Sequence, residues 1–548
     1  MRTKKSLIFL IVIITLTPII SVFGTTIPVE TTVSANYWDA DVNVQAGDTI
    51  YYDIDQLVLP PEADPEGVTL PDFAGNQIFI KIEAVYENYI FPDALGTVIY
   101  YAAGLLFGEE ETFTVGEGLL KTDFIIPAGA ATPSVGVMGA PHFNGTDVPP
   151  MVFVVNDAWA THEFMLEAIG FTVTNDASTF SVSLVNGTGL INAAWRKSDG
   201  VCTHIIFDDI EFMGMNLTDT TIELTLDRVE YNPLPVTVGD FVEFTADIAN
   251  VDVTGTGDLY SSINQTSLNS FLDDLASLEG EVFQKLIIDQ VIGLYYSCSV
   301  YMYSFETEAL EKIAEDIVYN GFLGVVQASY DPFYYALSSS PEALIPEGPS
   351  YTYFPYFAPF VTPDWEIYEG HMNLYDTMLG VYVVDILELF SIPTDALTYH
   401  ALGGGFDFVQ KRDFYYLQEH VTYDVEENYD YSSSIIISAF LGQPDMVYDD
   451  GSRITVEEEG YICYTSDGIP AAIAVRADVE LAYYDSASPA SGTGTLELHI
   501  DFKLRNPLYD PPELIQGGIF PGFTWIIAIP AIFAVAMAGV VYRKKKKK

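Results

Sequence analysis

Thr221-Ile222-Glu223-Leu224-Thr225-Leu226-Asp227 and Thr495-Leu496-Glu497-Leu498-His499-Ile500-Asp501 read as one strand written twice. Each runs on to an Asn-Pro, Asn232-Pro233 and Asn506-Pro507. Alternating apolar and polar residues mark a strand with one face on a core. Three further matches precede them in the same order. Val44-x-x-Gly47-Asp48-Thr49-Ile50-Tyr51-Tyr52 returns as Val236-x-x-Gly239-Asp240-Phe241-Val242-Glu243-Phe244. Phe153-Val154 with Asp157 and Trp159 returns as Phe360-Val361 with Asp364 and Trp365, and Ser198-Asp199-Gly200-Val201 as Ser466-Asp467-Gly468-Ile469. A common order makes tandem duplication the economical reading. The spacing between matches is larger in the second copy, above all between Phe360 and Ser466. Insertions of that size lie on surfaces and carry what differs between copies.

Each copy therefore reads as a first hairpin, a middle region with a helix, and a closing hairpin. Alternation over Gln77 to Val85, Phe171 to Leu184, Cys202 to Phe212, Ile454 to Cys463 and Ala471 to Tyr484 predicts strands. The Asp-Gly pairs 199–200 and 467–468 predict tight hairpin turns. Helices are expected over Trp159 to Ile169, Leu268 to Leu278, Thr307 to Val318 and Trp365 to Met378. In the third, Leu310, Ile313, Ala314 and Ile317 fall on one helical face. The expected class is α+β: two tandem related domains, each a curved antiparallel sheet with packed helices, plus one C-terminal transmembrane helix.

The ends of the chain suggest its place. Arg2, Lys4 and Lys5 precede an apolar Leu7 to Ile20, and Val22 and Gly24 are small residues suited to cleavage, as in a secretory signal. After Pro521-Gly522-Phe523 an apolar run continues to Tyr542, followed by Arg543 and Lys544 to Lys548. About 20 apolar residues reach across a bilayer core, and the basic end stays in the cytoplasm. The expected division is a signal at 1–24, a first domain at 28–233, a second and longer domain at 234–508, a linker at 509–522, a span at 523–542 and a basic tail at 543–548. The bulk of the chain is then extracellular on a single-pass membrane anchor.

Charge narrows the partners. Of 22 Lys and Arg, nine lie in the two terminal segments, leaving 13 against 77 Asp and Glu. So acidic a body disfavours nucleic acid and anionic lipid surfaces, which attract cationic protein. Hydrophobic residues at 49% and aromatics at 14% supply cores despite the charge. Cys202, Cys298 and Cys463 allow at most one internal bridge.

Motifs for chemistry are sparse. His162-Glu163 lacks the second histidine of a zinc-protease helix, since Leu166 stands there. Asp39-x-Asp41-x-Asn43 lacks the glycine and final acid of a calcium loop. The acidic runs Asp424 to Asp430 and Asp445 to Asp450 leave Ca²⁺ as the one cofactor to consider, and the metal site is otherwise unknown. No nucleophile elbow, phosphate loop or dinucleotide fingerprint is present, and the reading is of a protein that is not an enzyme. The aromatic stretch with Tyr351, Tyr353, Phe354, Tyr356 and nearby Trp365 is the candidate ligand-binding surface, for a sugar or an apolar molecule. Asn144, Asn186, Asn216 and Asn264 are candidate glycosylation sites on an exported chain.

The tail, Pro521-Gly522-Phe523 with an apolar span and basic end, resembles the PGF-type C-terminal sorting signals of archaeal surface glycoproteins. That resemblance implies removal of the segment by an archaeosortase and its replacement by a membrane lipid. The ectodomain looks like duplicated, uncharacterised secreted proteins of Asgard-type archaea, on its Val-x-x-Gly-Asp opening strand, Asp/Trp helix start, Gly-turn hairpin and closing Asn-Pro strand. The expectation is a structural or binding protein of the envelope, meeting other envelope proteins, glycans or a small ligand. A surface carrier or receptor is the alternative, and an extracellular hydrolase the remotest reading.

Overall fold

The computed structural model describes residues 42–58, 74–121, 153–326, 360–373, 397–427, 453–483 and 494–513, with short gaps within the second and third ranges. The expected signal, span and basic tail lie outside them. Among the described residues no helix is long and apolar enough to cross a membrane.

Among the described residues the first sheet has nine antiparallel strands: β1 (Asp48–Val58), β2 (Gln77–Phe91), β3 (Ala94–Phe107), β4 (Glu111–Lys121), β5 (Thr172–Asn175), β6 (Thr179–Asn186), β7 (Gly189–Arg196), β8 (Cys202–Phe212) and β9 (Met215–Tyr231). The second has ten: β10 (Phe241–Thr256), β11 (Val282–Ile292), β12 (Tyr295–Ser304), β13 (Ala309–Asn320), β14 (Val325–Val326), β15 (Leu397–Lys411), β16 (Phe414–Glu427), β17 (Arg453–Thr465), β18 (Pro470–Tyr483) and β19 (Gly494–Arg505). Both follow one plan. The first strand lies at the centre beside the last, β1 with β9 and β10 with β19, and a meander extends outward from each. One edge strand of each sheet, β5 and β14, is short, four and two residues, which limits edge-to-edge pairing there, while the opposite edges β4 and β15 have 11 and 15 residues.

Against this, the described helices are α1 (Trp159–Ala168), α2 (Gln265–Ala276) and α3 (365–373). The molecule is therefore predominantly β, not the expected α+β fold with packed helices. The clearest misreading is Thr307 to Val318, which forms strand β13. Its ladder with β12 is bulged: Ile317 pairs with Cys298, Ala314 with Val300, and Lys312 with Tyr301. Three residues of β13 thus step past two of β12, and then two past one. These bulges break the period of two and imitate helical spacing. Ile313 consequently points to solvent, 48% exposed. Phe171 to Leu184 also divides, into β5 and β6 around a turn in which Asp176 accepts the Ser178 and Thr179 amides. Gly403 to Gly405 lie within β15 beside a bulge.

Alternation separates two faces in each sheet. Ile50, Tyr52, Ile54, Ile80 and Ile82 join the core beneath the first sheet, with Phe180, Trp195 and Leu224. Val242, Phe244, Leu286, Ile288 and Leu504 do the same beneath the second. Burying such a side chain contributes about 1.5–3 kcal/mol, and these cores hold the sheets together. The opposite, outward face of β1 and β2 carries Thr49, Tyr51, Phe79, Lys81 and Glu83, and it too is buried, because the second sheet packs on it.

Backbone bonds set the equivalence of positions. Val155 N donates to Gly200 O at 2.9 Å and Val361 N to Gly468 O at 3.0 Å. Gly200 and Gly468 have φ of +74° and +84°, and a Cβ on either would lie 1.9 Å from the Val155 or Val361 carbonyl oxygen. Glycine is required there twice, for conformation and for space. Val155 thus corresponds to Val361, Trp159 to Trp365 and His162 to Tyr368. Asp364 then corresponds to Ala158, one residue along from the Asp157 with which the sequence pattern paired it.

Past β19 the chain does not leave directly. Tyr416 donates to Pro512 O at 2.6 Å, Lys411 bonds Glu513 O, and Arg505 and Lys503 reach Asp510 and Glu513. Residues 507–513 are thereby fastened along the second sheet.

Candidate functional site

Segment 360–373 joins the two functional candidates of the molecule. Alternate residues of its extended start face opposite ways, so that Asp364 turns to the first sheet while Trp365 turns to the hairpin β15–β16. Each side chain enters a different environment.

On the first side is a buried ionic seam. Lys81 Nζ lies 2.7 Å from Asp364 Oδ2, and both side chains are fully buried. Lys81 Nζ also donates to Gly47 O at 3.0 Å, Thr49 Oγ1 at 3.1 Å and Asn232 O at 3.1 Å. Asp364 Oδ1 accepts from Thr49 Oγ1 and from Asn232 Nδ2, each at 3.0 Å, and its Oδ2 accepts from Thr362 Oγ1 at 2.5 Å. Two residues along β2, Glu83 accepts from Tyr295 OH at 2.8 Å and Asn320 Nδ2 at 2.7 Å, while its backbone oxygen takes the Leu294 amide at 2.7 Å. Burial lowers the Lys81 ammonium from its ordinary value, and Asp364 opposes that shift. Buried charges persist only when paired and hydrogen-bonded, as these are. Around them Tyr51, Phe79, Ala102 and Leu106 pack on Leu294, Phe322 and Ile367, with Phe79 and Phe322 edge to face at 6.1 Å. At the rim Arg228 lies 3.8 Å from the Tyr51 ring centre and pairs with Glu366 of α3 at 2.7 Å.

On the second side is an aromatic cluster. Trp365 stacks on Tyr415 at 4.3 Å and 6° and donates its Nε1 to Ser466 O at 3.1 Å. Tyr368, Tyr464 and Phe408 lie tilted around it at 5.7, 6.0 and 6.4 Å. Trp365, Tyr415 and Phe408 are half-buried, so the cluster reaches the surface. Tyr351, Tyr353, Phe354 and Tyr356, expected beside Trp365, lie outside the described residues. The equivalent cluster of the first sheet has Trp159 against Phe180 at 5.3 Å and His162 at 6.0 Å. His162 Nε2 meets Asn156 Oδ1 at 2.8 Å, and burial pushes the ring down to about 3, so it is neutral at ordinary pH.

The remaining candidates separate in space. Cys202, Cys298 and Cys463 are free and buried, and burial pushes each thiol up to about 12, which leaves little thiolate. Asp424 to Glu427 form the end of β16, while Asp445 to Asp450 lie outside the described residues. Among the described residues no three His, Cys, Asp or Glu side chains converge to hold a metal. Asn186 sits exposed at the β6–β7 turn, and Asn216 lies on β9; Asn144, Asn264, Pro521, Gly522 and Phe523 lie outside the described residues. Sequence reasoning missed Lys81, Glu83 and Asp364. Their one signal was oppositely charged residues in an alternating strand poor in cations elsewhere.

No protein-family model and no curated protein sequence matches the chain. Two solved structures align over most of it at low similarity. A protein described as an AttH of Nitrosomonas europaea is 8% identical, with 87% of this chain and 99% of that one covered and a TM-score of 0.13. Transferrin-binding protein B of Haemophilus parasuis is 7% identical, with 84% and 78% covered and a TM-score of 0.09. Neither likeness defines a common fold.

Proposed function

We propose that this chain is a non-enzymatic, membrane-anchored protein of the cell surface, whose two sheets act as one stiff body with a structural or binding role. The observation that supports this most is the seam. Its buried ionisable groups, Lys81, Glu83 and Asp364, spend their hydrogen bonds on joining the sheets rather than on facing a cleft. The terminal signal-like and span-like segments supply the location, and the resemblance to PGF-type sorting signals adds a lipid anchor as its final form. A membrane-impermeant maleimide tests the location. Val185→Cys places a thiol at a position 70% exposed, against native cysteines that are buried. Labelling on intact cells is expected, and labelling only after lysis would refute an outside location. Intact-mass measurement of membrane-extracted protein tests the sorting step: loss of the segment beyond about residue 521 with added lipid is expected, and a full-length C-terminus would refute it.

A second reading, a carrier or receptor for a sugar or apolar ligand, draws support from the Trp365–Tyr415 stack at the surface. Aromatic faces of this kind bind sugars and apolar groups. Titration with oligosaccharides or with a fatty acid, followed by tryptophan fluorescence, is expected to give a saturable change that Trp365→Phe abolishes. An unchanged response in that variant would remove the cluster as the site.

A further inference from the structure

The seam uses one end of the second copy against the outward face of the first. The corresponding face of the second sheet is open. Counting from Gly47 and Gly239, Thr49 corresponds to Phe241, and their ladder partners Lys81 and Ile287 correspond. Thr49 is fully buried, whereas Phe241 is 53% exposed and Val238 beside it 65%. Lys285, paired with Glu243 at 2.5 Å, lies over the Phe241 ring at 4.2 Å.

The residues that would meet there have changed together. Within the molecule, Lys81 and Thr49 meet Asp364. At the equivalent open positions Ile287 and Phe241 replace Lys81 and Thr49, and Ala158 replaces Asp364. An aspartate facing Ile287 would be a buried unpaired charge, and so would a lysine facing Ala158. Neither occurs: the compared positions on both halves are apolar, and Lys285 and Glu243 beside them already pair with each other. Helix α1, which begins beside Ala158, further exposes Phe164 at 55%.

We propose that the open face around Phe241 and Ile287 receives the Ala158 end of helix α1 from a second copy of this chain. The contact between molecules then repeats the contact that Asp364 makes within one. Such an interface joins unlike surfaces, so it propagates head to tail, as an open row or a closed ring, rather than stopping at a dimer. The chain's net charge of −55 opposes association at low salt, and screening of repulsion favours it.

Cysteine pairing tests the arrangement in the full chain in detergent, at about 1 M salt, where the screening length is ~3 Å. Ala158→Cys and Phe241→Cys occupy the positions equivalent to Asp364 and Thr49, which are hydrogen-bonded at 3.0 Å. Mixing the two single variants under mild oxidation is expected to give a disulfide-linked dimer that neither gives alone. The double variant is expected to give a ladder of disulfide-linked species, while wild type gives none because its thiols are buried. Adding Val238→Glu to the Phe241→Cys chain is expected to cut the mixed dimer severalfold. No mixed dimer, equal dimer from either single variant alone, or a yield indifferent to Val238→Glu would overturn the proposal.

Discussion

The outward faces of β1–β2 and β10–β11 occupy the same place in the two sheets and have opposite fates. On the first, lysine, glutamate and threonine are buried under the second sheet. On the second, Phe241 faces solvent beside the half-buried Glu243 and Lys285. On the first face ionisable residues are buried and on the second a phenylalanine is exposed, the reverse of what those residue types suggest. Burial follows the partner surface: Lys81 tolerates the interior because Asp364 and three oxygens meet it there. Two surfaces of common plan have thus diverged into a locked joint and an open one.

Breaking the locked joint should have the largest effect. Lys81→Met leaves Asp364 buried without its cation and is expected to cost about 3–5 kcal/mol in thermal or denaturant unfolding. Lys81→Met with Asp364→Leu should recover most of that, since a well-packed apolar pair replaces a buried ion pair at little cost. If the double variant is no better than the single, the pair is not the element that closes the seam.

The next effect appears on acidification. His162 is held neutral in the folded state, with its value depressed to about 3. An unfolded histidine takes up its proton near 6.5, so the unfolded chain binds more protons between those values. The stability His162 leaves intact above pH 6.5 therefore falls as pH drops, by about 1.4 kcal/mol per unit towards pH 3. Tyr368 at the equivalent position has no such transition, but His371 of α3, which burial pushes down to about 4, adds one of the same sign from the second copy. His162→Gln should flatten the acid limb of the stability curve, and an unchanged limb would contradict the neutral ring.

Three smaller tests sharpen the comparison. Gly468→Ala forces a Cβ against Val361 O at a positive φ and is expected to destabilise by about 1–3 kcal/mol, with Gly200→Ala similar in the first sheet. Tyr295→Phe removes a side-chain donor to Glu83 and is expected to cost about 1–3 kcal/mol. Phe241→Ser, by contrast, changes an exposed side chain and should leave unfolding within about 0.5 kcal/mol.

The sequence shows the sheets better than the joint between them. Gly200 and Gly468 mark hairpins because a backbone demand is local, and Ile80 and Ile82 mark a core face because alternation is local. β13 was misread because its bulges give strand residues a helix-like spacing. The seam lies beyond such reading for another reason. Lys81 and Glu83 stand where an alternating strand puts its solvent-facing residues, and what covers them comes from Asp364, Tyr295 and Asn320 in the other copy. No local pattern in β2 states that the face is taken. Trp365 was found by composition, but its stacking partner Tyr415 was not, since the two meet only through the β15–β16 hairpin.

The fastening of residues 507–513 bears on mechanics. If the chain is held at its C-terminus, tension reaches the body through β19, the strand that pairs with β10 on one side and β18 on the other. A strand in the middle of a sheet cannot be peeled away pair by pair from an edge. Pulled along its length, it shears, and the bonds to both neighbours resist together. Tyr416, Lys411, Lys503 and Arg505 must release the terminal segment before that strand feels the full force, so the molecule should yield first by letting out a short length of slack, with both sheets still whole.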